Sequence, residues 1–447
     1  MRNIGIRLVS AALLVCSVVS LWSADARAQS AEPDPTAEQD RPAVTSSVAS
    51  PTVAEWLHKL TELAQQHNPT VQQARANLKR VRGMRHQMSR YPNPTVGYAA
   101  TEIGNEGRAG QQGLYFNQEF VTSGKLDLND QIYGWYEQTA QWGTQVQELR
   151  VTGAVRQRYF DLLANRSRLS LLMELTTISE KSAQITSSLL EAGEIARGQE
   201  LQAQLYVLRN RIAIATAQTA LLASERRLVA TIGTLDVNVS EIPGRLDKPL
   251  PPQLTFETTW QQMRATSPEL KAAEADVTRA QWRMERERVE PIPNLNTSIS
   301  AQYDFATQYT ITTFQIGIPL PVYNKNRGRI QAAQAGFIRA NHEVRRRELE
   351  LRNRLLTTIY SYQAARNQAF KIEQDVLPVA RESLQTTSKT FELGESSYQD
   401  LLTAQRSLAQ SRLDAIEARR TVFQTWSHID TYLLSDGFSA ATQTALP

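Results

Sequence analysis

Residues 293–305 read Pro-Asn-Leu-Asn-Thr-Ser-Ile-Ser-Ala-Gln-Tyr-Asp-Phe. Leu295, Thr297, Ile299, Ala301, Tyr303 and Phe305 alternate with Asn296, Ser298, Ser300, Gln302 and Asp304. In an extended chain one face is therefore largely apolar and the other wholly polar. About ten residues of this alternation match a tilted strand that spans a bilayer, with lipid on one face and a wet lumen on the other. A second strand, 309–322, sets Phe314, Ile316 and Ile318 against Thr313, Gln315 and Gly317. Weaker equivalents stand at 95–103 and 112–121, with Val96, Tyr98, Tyr115, Phe116 and Phe120. On alternation alone, a soluble sheet with one solvated face reads equally well.

The four strands fall in pairs because the chain repeats itself. Asn68-Pro69 matches Ser267-Pro268, and Tyr91-Pro92-Asn93-Pro94 matches Glu290-Pro291-Ile292-Pro293, each proline 199 residues from its counterpart. Gly193-Glu194 followed by Glu200-Leu201-Gln202-Ala203-Gln204 matches Gly394-Glu395 followed by Asp400-Leu401-Leu402-Thr403-Ala404-Gln405. Ordered landmarks at a fixed period indicate a duplication. The halves are read as 52–240 and 255–434, joined by a linker at 241–254. Val96 and Leu295 occupy matching positions, so the apolar face agrees between them.

No proline occurs between Thr95 and Ile242, and residues 125–192 can form one helix about 100 Å long at 1.5 Å per residue. Leu175, Ile178, Ser182, Ile185 and Leu189 step by three and four; Phe370, Leu377, Leu384 and Phe391 lie seven apart. The return segments continue the pattern through Leu201, Leu205, Leu208, Ile212, Ala215, Thr219 and Leu222, and through Leu402, Ala409, Leu413, Ile416 and Phe423. These spacings predict coiled-coil hairpins, 125–232 and 326–434, turning near Gly193 and Gly394. Helices are expected at 69–91, 125–192, 199–232, 268–290, 326–392 and 398–434, well above the usual one-third of a chain.

Of 447 residues, 49 are basic and 45 acidic, a net charge of +4. After the first 30 residues no run approaches 18 apolar residues, which excludes a helical transporter. One cysteine and five scattered histidines supply neither a zinc site nor thiol chemistry. Arg2 and Arg7 precede an apolar run from Leu8 to Trp22, and Ala26-Arg27-Ala28 fits a cleavage site. Residues 1–28 are thus read as a signal peptide and the protein as exported. Lipidation of Cys16 is the alternative, disfavoured by the bulk of Val15. Residues 29–51, with four prolines and few large apolar groups, read as a flexible leader, and 435–447 as a C-terminal tail. Four strands cannot satisfy their edges in lipid without closing on copies, and three chains would supply twelve.

This arrangement resembles the TolC-type outer membrane factor family over nearly the whole mature chain. The likeness rests on the duplicated halves, the Pro-x-Pro helix ends, the β-hairpins and the long hairpins with a Gly-Glu turn. The strand-to-helix junctions, Gln118 to Lys125 and Ile318 to Gly328, look like those of the CzcC-like heavy-metal efflux branch, although Ser123-Gly124-Lys125-Leu126 stands where that branch commonly has Gly-Gly-Lys-Arg. The resemblance implies a homotrimer: a twelve-stranded barrel in outer membrane lipid continuing into a helical periplasmic tunnel. Its partners would be a periplasmic adaptor (membrane fusion protein) and an inner-membrane resistance-nodulation-division pump. It implies an efflux channel with no cofactor and no enzymatic reaction, exporting heavy-metal cations; organic-compound efflux and type I protein secretion are the alternatives. A periplasmic coiled-coil adaptor or scaffold would share the hairpins but not the duplication or the membrane strands.

The same resemblance marks site residues. Gly193, Glu194, Gly394 and Glu395 become adaptor-docking tips; Gly124, Lys125, Gly328 and Arg329 become strand-to-helix junctions. Asp400 and Glu200 match tip-proximal acidic positions, where three copies would ring a narrow mouth with negative charge and favour cations. Ordinary helix-end carboxylates complementing the macrodipole are the competing account. Met84 and Met88, one turn apart, read as packing. Ser123-Gly124-Lys125 is not a phosphate loop, since Glu119 and Leu126 stand where a glycine and a Ser or Thr belong. Arg345-Arg346-Arg347 has no interleaved aromatics and is read as a solvated or interprotomer helix face, with no nucleic acid bound.

Overall fold

The computed structural model describes residues 53–104, 107–234, 249–434 and 436–438, with Asn238, Ile242 and Leu246 between them. The signal-peptide, leader and Cys16 readings, most of the linker and most of the tail lie outside the described residues.

The first half runs α1 (Val53–His67), α2 (Pro69–Met88), β1 (Thr95–Thr101), β2 (Gln111–Phe120), α3 (Lys125–Glu191) and α4 (Arg197–Ile232). The second runs α5 (Phe256–Thr266), α6 (Pro268–Val289), β3 (Leu295–Asp304), β4 (Tyr309–Gly317), α7 (Arg327–Lys371), a π-helical turn (Ile372–Val376), α8 (Leu377–Glu392) and α9 (Tyr398–Asp430). The order of elements repeats, as the duplication requires. Asn68 shows why the landmark prolines matter. Its Oδ1 caps α2 by accepting from the Thr70 backbone N–H at 2.9 Å, Pro69 fills the first helical position, and its Nδ2 donates to Thr231 O at 2.9 Å. The corner is thereby tied to the end of α4.

Helices α1 and α5 were not expected, yet each seals the core of its half. Leu60 and Ala64 pack with Val155, Tyr159, Leu228 and Ile232; Trp260 and Met263 pack with Leu351, Leu355 and Ile359. The strands form one antiparallel sheet in the order β1-β2-β3-β4, with Val96 opposite Phe116, Phe116 opposite Ile299 and Ile299 opposite Phe314.

Three expectations need correction. Strand β4 ends at Gly317 rather than 322, because Pro319 and Pro321 bring no N–H to continue the ladder. At the second junction, the turn is made by Asn326, not Gly328. Asn326 adopts φ +56°, and its Nδ2 donates to the Glu287 backbone oxygen at 2.9 Å and to Glu287 Oε2 at 2.8 Å. Gly328 and Arg329 lie inside the first turn of α7, and Arg327 is the counterpart of Lys125. Finally, the leucine stripe of α4 does not pack within its own hairpin. The buried face of α4 includes Ala203, Val207, Asn210, Ala217, Ser224 and Leu228, whereas Leu201, Leu205, Leu208, Ile212 and Leu222 are exposed.

Candidate channel wall and tip

The register sorts every strand residue onto one of two faces. Val96, Phe116, Ile299 and Phe314 lie side by side across all four strands, followed by Tyr98, Leu114, Ala301 and Thr312. The opposite face carries Gly97, Tyr115, Ser300 and Thr313, then Asn117, Ser298 and Gln315. At Gly97 a Cβ would meet the outer end of the Tyr115 ring at 2.4 Å, so the ring lies across the gap that the glycine leaves. Within one chain Val96, Phe116, Ile299 and Phe314 are all exposed. Nothing pairs with the outer edges of β1 and β4 among the described residues. No described helix is long and apolar enough to cross a membrane.

The strands are fastened to the helices at the junctions. Ser123 and Gly124 both turn with φ near +60°, admitting α3 directly after β2. Lys125, the first residue of α3, is buried, and its Nζ donates to Ile292 O at 2.7 Å and to Asn294 Oδ1 at 3.0 Å, with Glu290 Oε2 at 3.8 Å. This ammonium clips the first half to the Pro-Ile-Pro segment of the second. Beneath it, Arg85 of α2 grips Asp130 of α3 through two bonds of 2.9 and 2.8 Å and reaches Glu137 at 3.3 Å. The Arg85 hydrogen bonds hold the Asp130 carboxyl below its ordinary range. At Glu137 burial pushes the carboxyl up, but Arg82 and Arg85 outweigh it and the net shift is downward.

At the far end the two turns are built identically. Gly193 and Gly394 take φ of +76° and +75°. The Glu194 N–H donates to Leu189 O and the Gly193 N–H to Leu190 O; the Glu395 N–H donates to Thr390 O and the Gly394 N–H to Phe391 O. Both are Schellman caps, which satisfy the last helical carbonyls and need a left-handed residue. Glu194 and Glu395 stand exposed at the two tips.

The two acidic candidates diverge. Asp400 is exposed and closes a capping box with Ser397: its N–H donates to Ser397 Oγ at 3.2 Å and its Oδ2 accepts from the Ser397 N–H at 3.1 Å. The Ser397 hydroxyl and N–H hold its carboxyl below the ordinary range. Glu200 is buried, paired with Arg197 and accepting from Gln204 Nε2 at 3.0 Å. Helices α4 and α9 begin at Arg197 and Tyr398, 201 residues apart, so Glu200 stands in register with Leu401 and Gln199 with Asp400. The two acids therefore occupy non-equivalent positions of the repeat.

The family model described as outer membrane efflux protein matches twice, over residues 60–234 and 259–433. The chain is 26% identical over 283 residues to the cobalt-zinc-cadmium resistance protein CzcC of Cupriavidus metallidurans, covering 63% of this chain and 67% of the relative. Among solved structures it resembles the outer-membrane channel OprN with a TM-score of 0.72 at 16% identity, over 85% of this chain and 90% of that one. It also resembles VceC of Vibrio cholerae (0.69 at 15%, over 86% and 97%) and CusC (0.67 at 18%, over 89% and 99%). At such identities these structures speak for the fold: a mostly helical chain carrying four antiparallel strands.

Proposed function

Because the chain belongs to the outer membrane efflux protein family, we propose that it works as a homotrimer, the outer-membrane channel of a tripartite efflux system. The observation that carries this reading is the four-stranded sheet, apolar on one face, polar on the other and open at both edges. An open edge in lipid leaves backbone groups unsatisfied at several kcal/mol each, and closure on two further copies removes it. Twelve strands then enclose a lumen lined by Ser298, Ser300, Gln302, Asn117 and Gln315, while Ile299, Phe116 and Phe314 meet acyl chains. Helix α3, 67 residues long, extends the wall by about 100 Å at 1.5 Å per residue, reaching into the periplasmic space.

Cargo passes without covalent change. The wall supplies a closed polar route, and the tips supply contact and selection. Gly193, Glu194, Gly394 and Glu395 form the surface offered to a periplasmic adaptor, which links the channel to an inner-membrane pump of the resistance-nodulation-division class. Asp400 is the favoured gate acid, since its carboxylate is exposed; Glu200 contributes less, being neutralised by Arg197. The relative named for cobalt, zinc and cadmium resistance supports divalent metal cations as the exported class. The test is genetic: cells lacking the protein should lose tolerance to cobalt, zinc and cadmium and accumulate these ions. Unchanged metal tolerance with increased sensitivity to organic toxicants would move the cargo to the organic class.

A further inference from the structure

The exposed leucine stripe of α4 has a packed counterpart inside the same chain. Around the tips the halves are related by 201 residues: Gly193 matches Gly394, and the starts of α4 and α9 match. Helix α9, the counterpart of α4, packs on α3. There Leu171 and Leu175 bury against Ala409, Leu413 and Ile416; Gln405 Nε2 donates to Ser182 Oγ at 2.9 Å; and Arg412 Nη1 meets Glu174 Oε1 at 2.7 Å. Moving each residue by 201 yields the equivalent contact between α4 and the α3 counterpart, the π turn with α8. Leu171 and Leu175 become Ile372 and Val376, of which Ile372 already packs within its own chain, and Ala409, Leu413 and Ile416 become Leu208, Ile212 and Ala215. The polar partners keep their chemistry: Ser182 and Gln405 become Ser383 and Gln204, and Glu174 and Arg412 become Asp375 and Arg211. Yet Ser182 and Gln405 are buried, whereas Ser383, Gln204, Asp375, Val376 and Leu208 are all exposed in a single chain.

We propose that a second copy of this chain covers the stripe, its α8 packing on α4 as α9 packs on α3, with Gln204 bonded to Ser383 and Arg211 paired with Asp375 across the boundary. The proposal rests on the trimeric reading and adds the register of its helical seam. Two features favour this occupant over an unrelated protein: the internal repeat supplies a template for the contact, and the exposed Arg211 of α4 has an acidic counterpart in the exposed Asp375. Arg211 already meets Glu180 of its own chain at 2.8 Å with a largely exposed side chain. In the assembly its guanidinium, with five donors, bridges two carboxylates, one from each copy. The seam thus links neighbouring hairpins near the tips.

The test is disulfide trapping in the full chain in its native membrane. Gln204→Cys with Ser383→Cys should give covalent dimers and trimers on non-reducing gels under mild oxidation. Ser182→Cys with Gln405→Cys, an intrachain contact, should oxidise while leaving the monomer mass, which shows that the fold and the oxidant are sound. Gln204→Cys with Val376→Cys, one heptad or about 10 Å away, should give little linked product. Only monomer from the first pair, or more product from the displaced pair, overturns the register. A native trimer without cross-links rejects the seam and leaves the channel reading standing, whereas absence of any oligomer rejects that reading as well.

Discussion

Substituting Ile299 by arginine places a guanidinium on the apolar face at the fifth residue of the ten-residue strand β3, flanked by Phe116 and Phe314. Midway along a spanning strand lies the bilayer midplane, where arginine on the lipid face costs about 2–4 kcal/mol per chain. At 1.4 kcal/mol per tenfold, each chain's insertion equilibrium falls by roughly 30- to 700-fold, and three copies bear the cost. Ser300→Arg moves the same charge one residue along, to the face of Tyr115 and Thr313, where water in the lumen solvates it. The assay is the yield of folded trimer in the outer membrane, read by heat-modified gel mobility at matched expression. Ile299→Arg should nearly abolish the trimer while Ser300→Arg retains most of it. Equal yields, or the reverse order, would refute the assignment of lipid and lumen faces and with it the register argument.

Asp400→Asn removes three charges from the trimer with little change of shape; single-channel recordings at low salt should show weaker cation preference and less block by multivalent cations from the periplasmic side. Glu200→Gln should act in the same direction but less, and both effects should shrink at 1 M salt, where the Debye length is about 3 Å. Lys125→Met strands Ile292 O and Asn294 Oδ1 without their buried donor, at about 1–3 kcal/mol, and should lower the thermal midpoint by a few degrees. A midpoint equal to wild type would show that water replaces the clip. Burial, aided by the Arg354 charge, pushes the His428 imidazole down, so the folded state favours the neutral ring. Its stabilising contribution is intact above the ordinary value near 6.5 and declines as pH falls below it, because the unfolded chain takes up the proton first. His428→Gln should flatten the loss of thermal stability between about pH 7.5 and 5.5 relative to wild type.

Much of this fold was legible because its elements are long and periodic. The alternation from Leu295 to Phe305 carries its own face assignment, and the Pro-x-Pro landmarks mark helix ends whatever they pack against. Helices α1 and α5 were overlooked although Trp56, Leu57, Leu60 and Ala64 carry a three-four spacing, because the proline landmarks at 69 and 268 drew the helix starts to themselves. The α4 leucine stripe has the spacing of a seam, yet it is exposed in the single chain. Periodicity states that a face is buried in the finished assembly, not which chain buries it. At the second junction the named residues Gly328 and Arg329 fall inside α7, and the left-handed turn is made by Asn326, a residue type that tolerates this region and is held there by Glu287. Among the acidic candidates at the tips the family resemblance favours Asp400 over Glu200, but it gives no physical reason for the order. Only the helix starts reveal that Asp400 lies at the third helical position of a capping box while Glu200 faces inward.

The claim on which the rest depends is that three identical chains close one barrel and one tunnel. The mass of the protein extracted from outer membranes in mild detergent, measured by light scattering with the detergent contribution subtracted, tests it directly. The account predicts three chains that stay together until heated; a folded, stable single chain, or a protein found only in the soluble periplasmic fraction, would contradict it.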